Sequence, residues 1–310
     1  KVDIFMLHPK GRVSEVQRRQ MTTVLAPNVY NIAIDGSFDD AQALVKAMFA
    51  DTSFASRFNL SAVNSINWAR LMAQVVYYFY AAVRLGGPDR PVAFSVPTGN
   101  FGDVFAGYVA AKMGLPVARL IVATNVNDIL HRALSAGDYS VGTVTATAAP
   151  SMDIQVSSNF ERLLFDLHGR DGAALSAAMK GFESSKRLDI PAAMQAEAAG
   201  LLTSARVDAD RMQLAMRWAH DRAGETIDPH SAIGLAAAQD SDLDPAIPIV
   251  TLATAHPAKF GDAVERATGL RPTLPARIGE LFERQERYAV LPAEIGAIEN
   301  FVAEQSAAVA

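Results

Sequence analysis

The residues with the clearest chemical potential follow a short apolar segment, Val92–Val96. Gly99 and Gly102 bracket a turn directly after it, and an alanine- and valine-rich helix is predicted over residues 104–113. Small residues let backbone N–H groups close around a ligand, and a helix start adds unpaired donors with a partial positive charge. The pattern predicts a site for an anion such as a phosphate. It is also compatible with a tight strand-to-helix connection in an ordinary α/β protein.

The glycine spacing of this turn differs from that of the common nucleotide sites. Gly99, Gly102 and Gly107 do not form the G-x-G-x-x-G pattern of dinucleotide-binding proteins. No lysine follows the turn as it does in a P-loop. A dinucleotide or a nucleoside triphosphate is therefore not the expected ligand.

A second polar cluster opens a long helix that is predicted over Asn64–Leu85. Asn64 and Ser65 stand at its start, where their side chains would cap free N–H groups. Arg70 lies further along and could join them around an anion, because a guanidinium group matches a phosphate bidentately. The simpler interpretation is a capping pair and an unrelated surface arginine.

Two more polar clusters stand at the ends of apolar segments. Thr254 ends the predicted strand 249–254, where side chains of open α/β sheets face ligands, although its hydroxyl could instead bond to the local turn. His256 follows, and a loop histidine without a chemical task is the simpler interpretation. Asp228-Pro229-His230-Ser231 opens a helix predicted over 231–239, which favours plain capping.

The composition narrows the class of protein. The chain has 310 residues, half of them hydrophobic, and a formal net charge of −5 without a basic stripe, so nucleic acid is not an expected partner. The longest apolar stretch, Val75–Val83, is too short to cross a bilayer and predicts a buried helix, so no membrane partner is expected. The absence of cysteine excludes disulfides and thiolate sites and is compatible with the expected cytoplasmic location. The six histidines show no metal-ligand spacing, so no metal is expected.

Strands and helices alternate along the first half of the chain. Strands are predicted at Val2–Leu7, Val29–Ile34, Val92–Val96 and Pro116–Ala123, and helices at Glu15–Thr22 (behind Ser14), Asp39–Phe49, 104–113 and 127–135. Such alternation favours an α/β fold with a parallel sheet. Residues 160–223 are predicted to be mainly helical, Ile249–Thr254 is the last strand expected, and the rest of the chain is expected to be mostly helical.

Seven segments together resemble, in this order, the threonine synthase family, in its longer bacterial and fungal branch. They are PKGRVS (9–14), AIDGSFDD (33–40), NSIN (64–67), PTGNFGD (97–103), ATNVND (123–128), SNFERLL (158–164) and TAHPAKF (254–260). The resemblance implies a type II pyridoxal-phosphate fold, similar to the tryptophan synthase β-subunit, with two α/β lobes that have parallel-rich sheets and hold the cofactor between them. Residues 1–70 would belong to the smaller lobe and residues 71–310 to the larger one.

The resemblance also implies a reaction and a set of site residues. The family converts O-phospho-L-homoserine and water into L-threonine and phosphate with pyridoxal 5'-phosphate. The residues expected to bind the cofactor are Gly99, Asn100, Phe101, Gly102 and Asp103, around its phosphate, and Thr254, at the pyridine nitrogen. The residues expected to bind the substrate phosphate are Asn64, Ser65 and Arg70, with Asn100 near both ligands.

One family feature is absent. The Schiff-base lysine of the family lies in a motif similar to His-Gly-Pro-Thr-x-x-Phe-Lys-Asp, which does not occur here, and a Ser-Gly-Asp-Thr-Gly segment is missing too. Both are expected upstream of Lys1, which would make the chain the C-terminal two thirds of the enzyme. Two alternatives stay open: another type II enzyme such as a threonine dehydratase, whose substrate has no phosphate, and a non-catalytic phosphate- or cofactor-binding protein.

Overall fold

The computed structural model describes residues 2–63 and 67–307. In chain order, its strands are β1 (Ile4–Pro9), β2 (Val29–Asp35), β3 (Val92–Pro97), β4 (Val117–Thr124), β5 (Asp138–Ser140), β6 (Arg187–Asp189), β7 (Leu202–Arg206), β8 (Ile249–Thr251) and β9 (Ala289–Pro292). Its α-helices are α1 (Glu15–Thr22), α2 (Phe38–Ala50), α3 (Thr52–Phe58), α4 (Trp68–Arg84), α5 (Gly102–Lys112), α6 (Ile129–Ala136), α7 (Phe160–Leu167), α8 (Gly172–Ser185), α9 (Ala192–Ala199), α10 (Ala209–Trp218), α11 (Pro229–Gln239), α12 (Gly261–Thr268) and α13 (Ile295–Ala307). Short 3-10 helices lie at Pro150–Met152, Pro257–Phe260 and Ala276–Phe282, and a π-helical turn at Ala219–Ala223 follows α10.

The chain divides by its internal contacts into two compact units. Residues 2–61 and 273–307 form the small unit, and residues 62–272 form the large unit. This division differs from the ranges 1–70 and 71–310 that the sequence predicts. The physical reason is strand pairing, because β9 lies beside β2 in a parallel ladder and brings the last residues to the first ones.

The small unit contains a parallel three-stranded sheet in the order β1–β2–β9. Its first helix begins where the sequence predicts, behind Ser14. The Ser14 Oγ accepts a bond from the Gln17 N–H, and the Gln17 side chain accepts one from the Ser14 N–H. This reciprocal pair satisfies donors that the start of a helix leaves free. The predicted strand–helix alternation at the start of the chain is confirmed.

The large unit is built on a parallel four-stranded sheet in the order β7–β4–β3–β8. Because side chains alternate across a strand, the two faces carry separate cores. Leu120 and Val122 of β4 belong to the core that also contains residues of α4 and α5. Ile121 and Ala123 of the same strand belong to the core that contains residues of α10 and α11. Every residue of β3 is buried, as expected for a central parallel strand.

Four strands escape prediction from the sequence, and the first, β5, lies where the sequence predicts no element. β6 and β7 lie within residues 160–223, which were predicted to be mainly helical, and β9 lies in the final segment, predicted the same way. β7 is the edge of its sheet and reads Leu-Thr-Ser-Ala-Arg, so it lacks the apolar run of a buried strand. Both segments are mainly helical, as predicted, but their strands were missed because the pairing partner, rather than the local sequence, makes these residues strands.

Helix α4 also departs from its predicted start. It begins at Trp68, and the Asn67 side chain caps it by accepting a bond of 2.9 Å from the Ala69 N–H. Arg70 therefore lies in the first turn of the helix. Asn64 and Ser65 lie outside the described residues.

The apolar part of α4 is buried on one side only, whereas the sequence predicts a buried helix. Val75 and Tyr78 face the core, but Tyr80 and Val83 are more than 60% exposed.

Within residues 2–63 and 67–307, no helix combines the length and the hydropathy of a membrane-spanning segment.

Candidate functional site

A cavity of about 880 Å³ lies within the large unit, where β3 and β8 end side by side. Three segments line it: the loop that joins β3 to α5 (residues 97–103), the end of β8 with the residues after it (250–254), and one side of α4. The side chains from α4 are Arg70, Gln74, Tyr77 and Tyr80. Because β3 and β8 are parallel neighbours, their carboxyl ends bring both loops to one edge, where open α/β sheets bind ligands.

The loop after β3 is held tightly from behind. Its start is fixed by the Thr98 N–H, which donates to the Ala123 carbonyl at 2.8 Å. A Cβ atom on Gly99 would come within 2.6 Å of the Ser151 carbonyl oxygen, so only glycine fits there. Phe101, directly before α5, has a φ of +60°, which is rarely adopted by a residue with a side chain. Its buried ring packs edge-on against Phe160.

The N–H groups of Asn100 and Phe101 point away from the segment that supports this loop. The Gly99 carbonyl accepts a bond from the Ser157 Oγ at 2.8 Å, and the Asn100 carbonyl accepts one from the Asn159 Nδ2 at 3.0 Å. The N–H on the far side of a trans peptide points the opposite way from its carbonyl. In the described part of the chain, no acceptor bonds to the N–H groups of residues 99–103. These free donors at the start of α5 suit a phosphate.

Asp103 adds a carboxyl group to the wall of this cavity. Burial raises the pKa of Asp103 to about 6, although a bond from Tyr78 and the positive charge of Arg70 both oppose the rise. The buried Tyr78 hydroxyl donates to the Asp103 backbone carbonyl at 2.8 Å. A carboxyl group with this pKa changes its charge around pH 6.

The structure brings together most of the residues predicted as a site. Arg70, Asn100 and Thr254 line the same cavity, together with the glycine turn at 99–102 and Asp103. Their contacts with a ligand stay predictions, and Asn64 and Ser65 cannot be placed because they lie outside the described residues. His256 caps the short helix after it, where its Nδ1 accepts a bond of 3.2 Å from the Ala258 N–H.

Sequence reasoning missed two parts of the site. The first is the row formed by Gln74, Tyr77 and Tyr80, which follows Arg70 along α4 at helical spacing; that spacing was a usable signal. The second is the supporting segment 157–159, whose bonds to Gly99 and Asn100 join residues far apart in sequence. No local sequence pattern predicts such a contact.

Comparisons with known proteins bear on this site. Residues 1–188 match the family model described as "Pyridoxal-phosphate dependent enzyme", and residues 231–302 match the model described as "Threonine synthase, C-terminal". The threonine synthase of Pseudomonas aeruginosa is 55% identical over 304 residues, which are 98% of this chain and 65% of that protein.

Two solved structures extend the likeness to the fold. A pyridoxal-phosphate-bound threonine synthase from Brucella melitensis superimposes with a TM-score of 0.93 at 51% identity, over 98% of this chain and 65% of that one. The yeast threonine synthase gives a TM-score of 0.89 at 37% identity, over 99% and 65%. The chain thus spans about 65% of the length of these relatives.

The predicted resemblance to threonine synthases is confirmed by these matches, and so is the predicted fold class, a type II pyridoxal-phosphate fold with parallel sheets. The first family model covers more than half of the residues. The chain belongs to the family of pyridoxal-phosphate dependent enzymes.

Proposed function

We propose that this protein is a threonine synthase, a lyase that uses pyridoxal 5'-phosphate to convert O-phospho-L-homoserine and water into L-threonine and phosphate. The observation that carries the proposal is one cavity with two features that suit phosphate groups. Residues 99–103, whose N–H groups have no acceptor among the described residues, line one part of it, and Arg70 lines another. The similarity to threonine synthases over nearly the whole chain supports the same activity.

The residues around the loop fit the phosphate of the cofactor. The close approach of the Ser151 carbonyl to Gly99 and the left-handed backbone of Phe101 hold the free donors at the start of α5. The helix start favours a dianion by about 0.3–1 kcal/mol, and by up to ~2 kcal/mol when partly buried. When bound, the cofactor supplies an electron-accepting ring that assists bond breaking at the substrate carbons.

Thr254 is the proposed partner of the ring nitrogen. Its segment follows β8 at the same edge of the sheet, and it lines the cavity. A hydroxyl group carries no charge and so does not hold the nitrogen protonated as a carboxylate would. A threonine at this position therefore sets the electron demand of the cofactor ring for elimination and replacement at the substrate carbons.

Arg70 is proposed to bind the phosphate of the substrate together with Asn64 and Ser65, as the resemblance implies. A guanidinium group that holds the leaving phosphate positions it and stabilises the negative charge that grows as it departs. The Asn100 amide, at the turn between Gly99 and α5, is proposed to contact both ligands.

We also propose that the small and large units correspond to the two lobes of the family, and that the protein acts in the cytoplasm.

The activity is tested with the complete gene product, because the lysine motif of the family does not occur among these residues. We expect it to release phosphate and L-threonine from O-phospho-L-homoserine only when pyridoxal phosphate is present. L-Threonine and L-serine, offered alone, serve as the test for the dehydratase alternative. Release of phosphate without the cofactor, or a 2-oxo acid formed from L-threonine as the main activity, would contradict the proposal.

A further inference from the structure

A cluster of buried polar side chains lies behind the cavity, at the start of α11. Asp228, His230 and Ser231 are 0%, 4% and 2% exposed. One Asp228 carboxylate oxygen accepts bonds from the Ser231 N–H (3.1 Å) and the Ser231 hydroxyl, and the other accepts bonds from the His230 N–H (3.0 Å) and the His230 Nδ1 (2.7 Å). A buried carboxylate is tolerated when it is satisfied in this way. A helix cap needs only the two backbone bonds, so the two side-chain bonds call for another explanation.

His230 connects the cluster to the loop after β3. The Ser151 N–H donates to the His230 Nε2 at 3.2 Å, which leaves the imidazole proton on Nδ1, facing Asp228. The carbonyl of the same Ser151 fills the space that a side chain on Gly99 would occupy. The His230 ring is held from another side by Phe260, with ring centroids 4.7 Å apart. The orientation of His230 therefore fixes the support on which the glycine turn rests.

Ser231 connects the cluster to the opposite side of the cavity. Its Oγ accepts a bond from the Thr254 N–H at 3.1 Å, while its own hydrogen is donated to Asp228. A hydroxyl has a single donor, so the bond to Asp228 turns a lone pair of the oxygen toward Thr254. The carboxylate thus orients both neighbours, each of which supports a different wall.

We propose that Asp228, His230 and Ser231 are positioning residues that fix the phosphate loop and Thr254 relative to each other. His230 acts through Ser151 on the Gly99 turn, and Ser231 acts on Thr254. The proposal rests on the proposed function only where it takes pyridoxal phosphate as the ligand that spans the two walls. Helix α11 suits this task because it packs closely on the sheet: a Cβ on Gly234 would lie 3.0 Å from Pro97 and 3.1 Å from Thr251.

The two connections can be cut separately. In His230→Asn the side-chain amide can still donate to Asp228, but the acceptor for Ser151 is lost, whereas His230→Gln offers an acceptor near the position of Nε2. Ser231→Ala removes the acceptor for Thr254, and Ser231→Thr restores a hydroxyl group. Asp208→Ala is the matched control, because Asp208 caps α10 in the same unit by accepting a bond from the Arg211 N–H and does not line the cavity.

The experiment uses the complete gene product without its cofactor. It measures the affinity for inorganic phosphate and for pyridoxal phosphate, and the amide hydrogen exchange of residues 149–153 and 252–255. Loss of one neutral hydrogen bond should weaken phosphate binding by about fivefold in His230→Asn, with His230→Gln within about twofold of the parent. In His230→Asn, exchange should rise at residues 149–153 only, because the Ser151 N–H loses its acceptor. Ser231→Ala should leave phosphate affinity within about twofold, increase exchange at 252–255, and shift the absorbance of bound pyridoxal phosphate, with Ser231→Thr restoring both.

Two results would overturn the proposal. One is an equal loss of phosphate affinity in His230→Asn, Ser231→Ala and Asp208→Ala, which would reduce the cluster to a general source of stability. The other is unchanged exchange at both measured segments. The exchange measurement needs no ligand, so it decides the proposal even if the protein fails to act on O-phospho-L-homoserine, which would refute the proposed function alone.

Discussion

Replacing Arg70 with alanine should separate substrate binding from cofactor binding. A hydrogen bond to a charged group contributes about 1.5–3 kcal/mol. Arg70 is exposed and lies in the first turn of α4, so solvent screening favours the lower part of that range. We therefore expect kcat/KM for O-phospho-L-homoserine to fall by about 10- to 30-fold. The affinity for pyridoxal phosphate should change by less than about twofold, because the donors of residues 99–103 are fixed by Ser157, Asn159 and Ser151 instead.

The assay is steady-state phosphate release, with a separate titration of the cofactor. Arg222→Ala is the control, since Arg222 is an exposed arginine of the same unit that does not line the cavity. Arg70→Lys should recover only part of the loss, because an ammonium group cannot bind phosphate through a planar fork. Removal of Arg70 should also raise the pKa of Asp103, which its charge lowers. Equal losses of cofactor and substrate affinity would refute this division of roles.

Three further changes test other parts of the structure. Gly99→Ala should lower the free energy of unfolding by about 1–3 kcal/mol and weaken inorganic phosphate binding, because the new Cβ meets the Ser151 carbonyl; denaturant titration that gives the parent value would contradict the close approach. Calorimetry should show that sulfate binds more weakly as the pH rises through about 6, where Asp103 ionises. Asp103→Asn should flatten this dependence of sulfate affinity on pH. Equal slopes in the parent and the variant would contradict the prediction. Burial lowers the pKa of His8, so the unfolded chain binds more protons than the folded one, and the free energy of unfolding should fall as the pH drops below 6.5. His8→Leu should reduce this dependence of the free energy of unfolding on pH. An unchanged dependence would refute the role given to His8.

Local signals predicted the elements that carry the site. Helix α1 begins behind Ser14, and β3 and α5 flank the glycine turn as expected, because capping and glycine chemistry act over a few residues. Helix α4 begins at Trp68, four residues after its predicted start, because the Asn67 side chain makes the capping bond. Strand β9 was missed because its partner, β2, lies at the other end of the sequence.

In the site, too, residues in local motifs could be predicted, whereas contacts between distant segments could not. Asn100, Arg70 and Thr254 could be named from motifs, and the order of the strands then places them around one cavity. The Asp228 cluster looked like a plain helix cap, since nothing in Asp-Pro-His-Ser indicates that His230 reaches Ser151 or that Ser231 reaches Thr254. Such contacts depend on how α11 packs on the sheet, and tertiary packing is what a single sequence does not encode locally.

The pairing of β2 with β9 has a consequence for the folding of this protein while it is synthesised on the ribosome. The large unit is inserted between these two strands, so the third strand of the small sheet leaves the ribosome only after the whole large unit has been made. Until then, the Ile32–Asp35 edge of β2 stands without its neighbour, and an unpaired strand edge is prone to association with other chains. Strand β9 can therefore join β2 only after translation of residues 289–292, and chaperone binding to nascent chains should concentrate on the interval before it.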